Sequence, residues 1–170
     1  MSVVPEEPSL SNLERLQNAL DGVASLRTRV VWLVGRPGSG KTTLLRVLAQ
    51  ARSDCGYINV NRELAKALVD RPASSRPFDT PGLLSAAFPS RPSGIWLADN
   101  TELSLSRELQ LAVVDRFKAI GQQVPIVVAW CGDFRNNKLI YGTPDHSDYR
   151  EFSLESAVVI DLNNSNTQGR

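Results

Sequence analysis

The segment Gly35–Thr42 constrains the fold of this chain more than any other part of its sequence. Its residues, GRPGSGKT, fit the pattern G-x-x-x-x-G-K-S/T without a mismatch. The predicted strand Arg29–Val34, apolar from Val30 onward, precedes it, and Thr42–Ala51 follows with helical periodicity. Glycines let successive backbone N–H groups turn toward an anion, and the N-terminus of a helix adds partial positive charge. The segment therefore predicts a phosphate-binding loop between a buried strand and a helix.

The Lys-Thr pair at the end of this segment distinguishes the loop from an ordinary glycine turn. A turn between a strand and a helix would explain Gly35 and Gly40 but not Lys41 and Thr42. In phosphate-binding loops the lysine reaches the β- and γ-phosphates and the hydroxyl binds Mg²⁺. Thr43 offers a further hydroxyl near the α-phosphate. The residues expected to bind the nucleotide are Gly35, Arg36, Pro37, Gly38, Ser39, Gly40, Lys41, Thr42 and Thr43.

The rest of the chain alternates between strand and helix patterns, which predicts an α/β domain with a parallel sheet covered by helices on both faces. The predicted strands are Arg29–Val34, Tyr57–Val60, Gly94–Ala98, Pro125–Trp130 and Ala157–Leu162. The predicted helices are Leu13–Val23, Thr42–Ala51, Arg62–Val69 and Ser106–Ile120, with a long loop over Arg71–Pro92 that holds a short helix near Leu83–Phe88. We expect one domain over residues 11–162, a flexible lead over 1–10 and a disordered tail over 163–170.

The composition excludes several classes of protein. The net charge of +1 argues against a protein that coats nucleic acid or an anionic membrane, so direct DNA contact is not indicated. The apolar runs have the length of strands, and the acidic N-terminus does not fit a signal peptide. Cys55 and Cys131 lie far apart, and with the single His146 they show no metal-ligand spacing. We therefore expect a cytoplasmic protein that has no membrane partner.

Asp99 is the candidate for the acid that holds the metal. It ends the run Ile95–Ala98, and we expect this strand to lie beside the strand that leads into the loop. The alternative is a turn cap, because Asp99-Asn100-Thr101 also suits a turn. Many ATPases carry a glutamate directly after this aspartate, where this chain has Asn100. Glu102 is then the nearest carboxylate able to polarise a water, and a surface role explains it equally well.

Two further segments resemble guanine-nucleotide motifs and fail on their context. Asp79–Gly82 fits D-x-x-G, but no buried strand precedes it. Asn137-Lys138 begins like N-K-x-D, but Ile140 stands where the guanine-reading carboxylate is required. ATP is therefore the expected nucleotide. Arg135 and Arg150, and Arg36 within the loop, are candidates for a cation that offsets charge on the γ-phosphate, although most arginines are simply surface residues.

Five segments together resemble the small P-loop proteins of type 3 BREX phage-defence systems, the BrxF-like family. They are GRPGSGKTTLLR, INVNRELAKAL, IWLADNTEL, VPIVVAWCG and YGTPDHSDYREF, and the resemblance covers roughly Leu26–Phe152. It implies a prokaryotic, ATP-dependent accessory protein encoded with a large ATPase, a DNA methyltransferase and a phosphatase-like protein. The family's loop carries over onto Gly35–Thr42, and its acidic strand end onto Asp99.

The order of elements also agrees with a P-loop NTPase core of the additional-strand, AAA+-like class, but without a helical lid. Only about 40 residues follow Trp130, too few for the lid domain of AAA+ proteins. We therefore expect self-association or a partner subunit to close the site, and slow ATP hydrolysis by the isolated chain. Two alternatives stay open at this point. One is a P-loop kinase acting on a small molecule, with Arg71–Arg91 as its substrate cap, and the other is a module that holds ATP with little turnover.

Overall fold

A computed structural model shows an α/β fold, and it describes residues 10–91 and 93–163. The helices are α1 (Leu10–Val23), α2 (Lys41–Ala51), α3 (Val60–Leu68), α4 (Arg76–Ala86) and α5 (Val113–Gln123), with short 3-10 helices at Glu102–Leu105 and Arg107–Leu109. The strands are β1 (Val30–Gly35), β2 (Cys55–Asn59), β3 (Ile95–Asp99), β4 (Ile126–Cys131), β5 (Asp133–Arg135), β6 (Lys138–Tyr141), β7 (Arg150–Ser153) and β8 (Val158–Asp161).

Five parallel strands form the main sheet in the order β2-β3-β4-β1-β8. The chain passes from β1 over β4 and β3 to the edge strand β2, and then returns through β3 and β4. Because such crossovers are right-handed, helices that connect strands in opposite directions lie on opposite faces of the sheet. Accordingly α2 packs on one face with α1, while α3, α4 and α5 pack on the other.

The side chains of β1 alternate between the two apolar cores that this arrangement creates. Val31 and Leu33 enter the core beneath α1 and α2, whereas Trp32 enters the core beneath α3, α4 and α5. All six residues of β1 are buried, as expected for a central parallel strand. Trp130 of β4 is 1% exposed and meets Trp32 edge-to-face at 6.2 Å, so it is a core residue.

The predicted strands and the parallel sheet are confirmed, with shifted ends, but two helix predictions were wrong in extent. The helix predicted over Ser106–Ile120 begins only at Val113, because Ser106 is extended and Gln110 has a φ of 49°. The 71–92 segment holds more helix than expected, since α4 begins at Arg76. Its Pro77 lies in the first turn, where a missing N–H costs nothing.

A three-stranded antiparallel sheet, β5-β6-β7, was not predicted. It lies between β4 and β8 in sequence and pairs Phe134 with Leu139 and Leu139 with Phe152. Trp130 joins this small sheet to the main one, because its Nε1 donates to the Ile140 carbonyl at 3.0 Å and its ring meets Phe152 at 5.6 Å. Within the described residues no α-helix follows α5.

The chain ends lie largely outside the described residues. Of the predicted lead, residues 1–9 are not described, and Leu10 already belongs to α1. Of the predicted tail, residues 164–170 are not described, and Asn163 contacts the glycine-rich loop. None of the helices in the described ranges has the length and apolar character needed to cross a membrane.

Candidate functional site

The carboxyl ends of β1, β3 and β4 meet at one edge of the main sheet, where ligands bind in open α/β sheets. The loop that follows β1 lies there together with Asp99, the last residue of β3, and Cys131, the last residue of β4. Asp99 was expected on a strand beside β1, and this was wrong because β4 lies between them. Asp99 and the residues that follow the loop are nevertheless in direct contact, because the Thr42 hydroxyl donates to the Asp99 carboxylate.

The loop from Gly35 to Gly40 turns sharply into α2. Gly38 and Gly40 have φ values of 80° and 95°, in the left-handed region that side-chain-bearing residues avoid. The Lys41 ammonium lies over the loop and donates to the Gly35 carbonyl at 2.6 Å and to the Arg36 carbonyl at 3.1 Å. Gly40 is the N-cap of α2, and no described side chain caps this helix. The first amide groups of α2 are therefore left for an anion.

Asp99 is buried, with 2% of its surface exposed, and its carboxylate accepts three hydrogen bonds. The Thr42 hydroxyl donates to Oδ2 at 2.7 Å and the Tyr57 hydroxyl donates to the same oxygen at 2.6 Å. The backbone N–H of Asn100 donates to Oδ1 at 2.9 Å. Burial and the adjacent Asp99 carboxylate raise the pKa of Tyr57, so this phenol keeps its proton as a donor at neutral pH.

Glu102 follows Asp99 at the start of a 3-10 helix, and Asn61 holds it there. The Asn61 amide Nδ2 donates to Glu102 Oε2 at 3.0 Å, while Asn61 Oδ1 accepts from the Leu103 N–H at 2.7 Å. The Asn61 backbone N–H also donates to the Asn100 carbonyl at 2.8 Å. One asparagine at the start of α3 therefore fixes the segment that follows β3 and holds the carboxylate of Glu102.

Cys131 and Tyr141 share the electrostatic environment of Glu102. Burial raises the pKa of the half-buried Cys131 thiol, the Lys41 ammonium opposes this, and the Glu102 carboxylate adds to it. Burial, Cys131 and Glu102 raise the pKa of Tyr141. Both side chains are therefore neutral at pH 7. Neither was predicted as a site residue, although the end of β4 in a parallel sheet is a position at which a polar residue signals a site.

The tip of the loop is bound to the segments that follow β8 and β4, the two strands that flank β1. The Arg36 backbone N–H donates to Asn163 Oδ1 at 2.9 Å, and the Arg36 guanidinium pairs with Asp133 at 3.0 Å. Asn163 Nδ2 in turn donates to the Gly132 carbonyl at 2.9 Å. Arg36 was predicted as a loop residue, but its partners Asp133 and Asn163 were not predicted.

The two arginines proposed as charge-compensating groups lie in different environments. Arg135 is exposed on the edge strand β5. Arg150 is half-buried, and its guanidinium donates to the carbonyls of Leu111 at 3.2 Å and Leu105 at 3.5 Å. Its Cζ also lies 4.6 Å from the centroid of the Phe152 ring. The contacts of Arg150 are therefore with the protein interior.

The segments that resemble guanine-nucleotide motifs are placed away from such a role. Asp79–Gly82 lies inside α4, and Asp79 pairs with Arg71 at 3.0 Å. Asn137 and Lys138 lie at the turn between β5 and β6. The rejection of both segments on sequence context agrees with these positions.

Thr42 and Asp99 supply the oxygen ligands that Mg²⁺ prefers, one hydroxyl and one carboxylate. Among the described residues no cluster of three or more His, Cys, Asp or Glu side chains could hold a metal ion by itself. Mg²⁺ does not need such a cluster, because it is usually bound through one or two carboxylates together with substrate phosphates. The residues present therefore fit a metal that arrives with a nucleotide.

Comparisons of this chain with protein-family models, with curated proteins and with solved structures found no match.

Proposed function

We propose that this chain is a P-loop NTPase of the additional-strand class that binds ATP with Mg²⁺ through the loop Gly35–Thr43 and Asp99. The observation that carries the proposal is the 2.7 Å hydrogen bond between Thr42 and Asp99. It joins the start of α2 to the end of β3 across the intervening strand β4. A buried carboxylate needs hydrogen-bond donors, and the Tyr57 hydroxyl and the Asn100 N–H already supply two. A third donor from the residue that follows Lys41 is the pairing that a Mg²⁺-nucleotide site requires.

Each part of the loop has a separate role in this proposal. The loop amides and the uncapped start of α2 bind phosphate oxygens, and the Lys41 ammonium exchanges the Gly35 and Arg36 carbonyls for them. Thr42 and Asp99 hold the metal. Bound Mg²⁺ supplies positive charge against the phosphates. Because Arg36–Gly38 is exposed, a nucleotide can reach the loop directly from solvent.

Calorimetric titration with ATP and Mg²⁺ tests the proposal. Lys41→Ala removes a charge-assisted interaction worth about 1.5–3 kcal/mol, so the affinity of the variant for ATP should fall by roughly 10- to 150-fold. Lys66→Ala is the matched control, because this lysine is exposed on α3 and pairs only loosely with Glu63 at 3.9 Å. Absence of ATP binding by the wild-type chain, or equal binding by the Lys41 variant, contradicts the proposal.

Slow turnover is the second part of the proposal, and the contact between Asn61 and Glu102 supports it. The only carboxylate near Asp99 in sequence that could polarise a water already accepts a hydrogen bond from an amide. A module that holds ATP without turning it over is therefore the second candidate function. Hydrolysis at an ordinary rate that is lost in Asp99→Asn and Glu102→Gln would exclude this candidate.

A role in phage defence rests on the resemblance to BrxF-like proteins. The resemblance implies an assembly with a large ATPase, a methyltransferase and a phosphatase-like protein, and a complex of the chain with its own copies is the alternative. The exposure of Arg36–Gly38 supports assembly, since nucleotide sites usually close before they react and a second subunit would cover the loop. Light scattering after size-exclusion chromatography, with and without a non-hydrolysable ATP analogue, tests self-association. The assembly proposal is contradicted if the chain is strictly monomeric and its rate of ATP turnover changes neither with its own concentration nor on addition of the large ATPase, the methyltransferase or the phosphatase-like protein.

A further inference from the structure

Two hydroxyl groups donate to one oxygen of the Asp99 carboxylate, and only one of them belongs to the glycine-rich loop. The Thr42 hydroxyl oxygen lies 2.7 Å from Asp99 Oδ2, and the Tyr57 hydroxyl oxygen lies 2.6 Å from the same atom. Asp99 Oδ1 accepts from the Asn100 N–H. Asp99 is almost completely buried, so solvent contributes little to its orientation. These three donors therefore determine how the carboxylate is turned.

The position of Tyr57 on β2 explains why its hydroxyl reaches this carboxylate. In the register between β2 and β3, Tyr57 pairs with Leu97, two residues before Asp99. Side chains two residues apart on a strand share one face of the sheet. Tyr57 and Asp99 thus point to the side of the sheet that α2 covers, and the long phenol extends toward the strand ends. The Arg46 guanidinium of α2 lies 5.6 Å from the centroid of the ring and packs against it.

We infer that Tyr57 is a positioning residue for the metal-holding carboxylate of Asp99. The inference rests on the proposed Mg²⁺-nucleotide site and names a residue that lowers the Mg²⁺ concentration needed for nucleotide binding there. Thr42 is itself a metal ligand in that proposal, so its hydroxyl serves two partners. The Tyr57 hydroxyl has a single proton and donates it to Asp99, whereas the Arg46 guanidinium approaches the same phenol as a donor. Its O–H therefore keeps the carboxylate turned in one direction whatever Thr42 does.

Tyr57→Phe tests the inference because it removes only the hydroxyl and keeps the ring between β2 and Arg46. Binding of a non-hydrolysable ATP analogue is measured by calorimetry at a series of Mg²⁺ concentrations and again in excess chelator. We expect the Mg²⁺ concentration at half-saturation to rise about tenfold, equivalent to about 1.4 kcal/mol. Affinity for the metal-free nucleotide should stay unchanged. Tyr149→Phe is the matched control, since its hydroxyl donates to the exposed Glu151 of β7.

A double-mutant cycle separates positioning of Asp99 from a general structural role. In the Asp99→Asn background, Tyr57→Phe should produce no further change in the Mg²⁺ requirement, because the group through which it acts is already altered. An equal loss of affinity with and without Mg²⁺, an additive double variant, or a wild-type Mg²⁺ requirement overturns the inference. Failure of the wild-type chain to bind the analogue at all contradicts the proposed function instead.

Discussion

Arg150 was expected from the sequence to offset charge on the γ-phosphate, but its contacts in the structure indicate that it stabilises the protein interior. Its guanidinium donates to the carbonyls of Leu105 and Leu111, which belong to the irregular segment between β3 and α5. Burial and the nearby Arg107 lower the pKa of Arg150, as expected for a cation enclosed by protein. We expect Arg150→Ala to loosen this segment and lower the free energy of unfolding.

The size of the effect follows from the three contacts. The 3.2 Å hydrogen bond to Leu111 contributes about 1–1.5 kcal/mol and the longer one to Leu105 about half of that. The contact with the Phe152 ring at 4.6 Å adds about 0.5–1 kcal/mol. The sum is about 2.5 kcal/mol. An unfolding entropy near 2.1 cal/mol/K per residue gives about 0.36 kcal/mol/K for 170 residues, so Tm should fall by about 7 °C.

Scanning calorimetry of Arg150→Ala measures the change, and the exposed Arg135→Ala is its control, with an expected shift within about 1–2 °C. ATP turnover is measured on both variants below their melting temperatures. If Arg150→Ala melts like the wild type and loses turnover, the reasoning from interior contacts is refuted and a direct role at the γ-phosphate takes its place. If Tm falls and the folded variant still turns over ATP at the wild-type rate, the interior role is confirmed.

Two further predictions concern Cys55, the first residue of β2, and Asn61, in the first turn of α3. Burial and the adjacent Asp54 raise the pKa of Cys55 from 9.0 to about 11. In a Cys131→Ser variant, alkylation of Cys55 at pH 8 should therefore be about 100-fold slower in the folded chain than in the urea-unfolded chain, and it should accelerate as the pH rises toward 11. Equal alkylation rates in the folded and unfolded chains refute this prediction. Asn61→Ala removes the acceptor for the Leu103 N–H and should lower the free energy of unfolding by about 1–2 kcal/mol, measured by urea unfolding. An unchanged urea midpoint would show that Asn61 does not hold the segment that follows β3.

Those parts of the structure that depend on one continuous segment were predictable from sequence. The predicted strand Arg29–Val34 is apolar on both faces from Val30 onward, and the structure confirms a fully buried strand over Val30–Gly35. Leu16, Leu20 and Val23 recur at helical spacing, and all three are buried on the inner face of α1. The placement of Asp99 at a strand end was predictable for the same reason, because the apolar residues before it identify the strand.

The parts that depend on which strands are neighbours were not predictable in the same way. Nothing within β3 or β4 shows that β4 separates Asp99 from the loop. The contact of Tyr57 with Asp99 arises from the register between β2 and β3. The contact of Asn61 with Glu102 arises from the packing of α3 against the 3-10 helix that follows β3. The small antiparallel sheet did carry a signal in its sequence. Asn136 and Asn137 have φ values of 51° and 56°, and such a pair is typical of a tight β-hairpin turn.

The contact between Thr42 and Asp99 follows from the path of the chain. Since β1 connects to β2 across two intervening strands, α2 must cross over β4 and β3 on its way. Leu44, Leu45 and Leu48 of this helix are each no more than 1% exposed and share one core with Leu97 of β3. Packing of α2 against β3 therefore brings Thr42, in its first turn, to the end of that strand. The distance between the two proposed metal ligands is thus set by the hydrophobic core beneath α2, so a leucine-to-alanine change there should perturb the site without touching it.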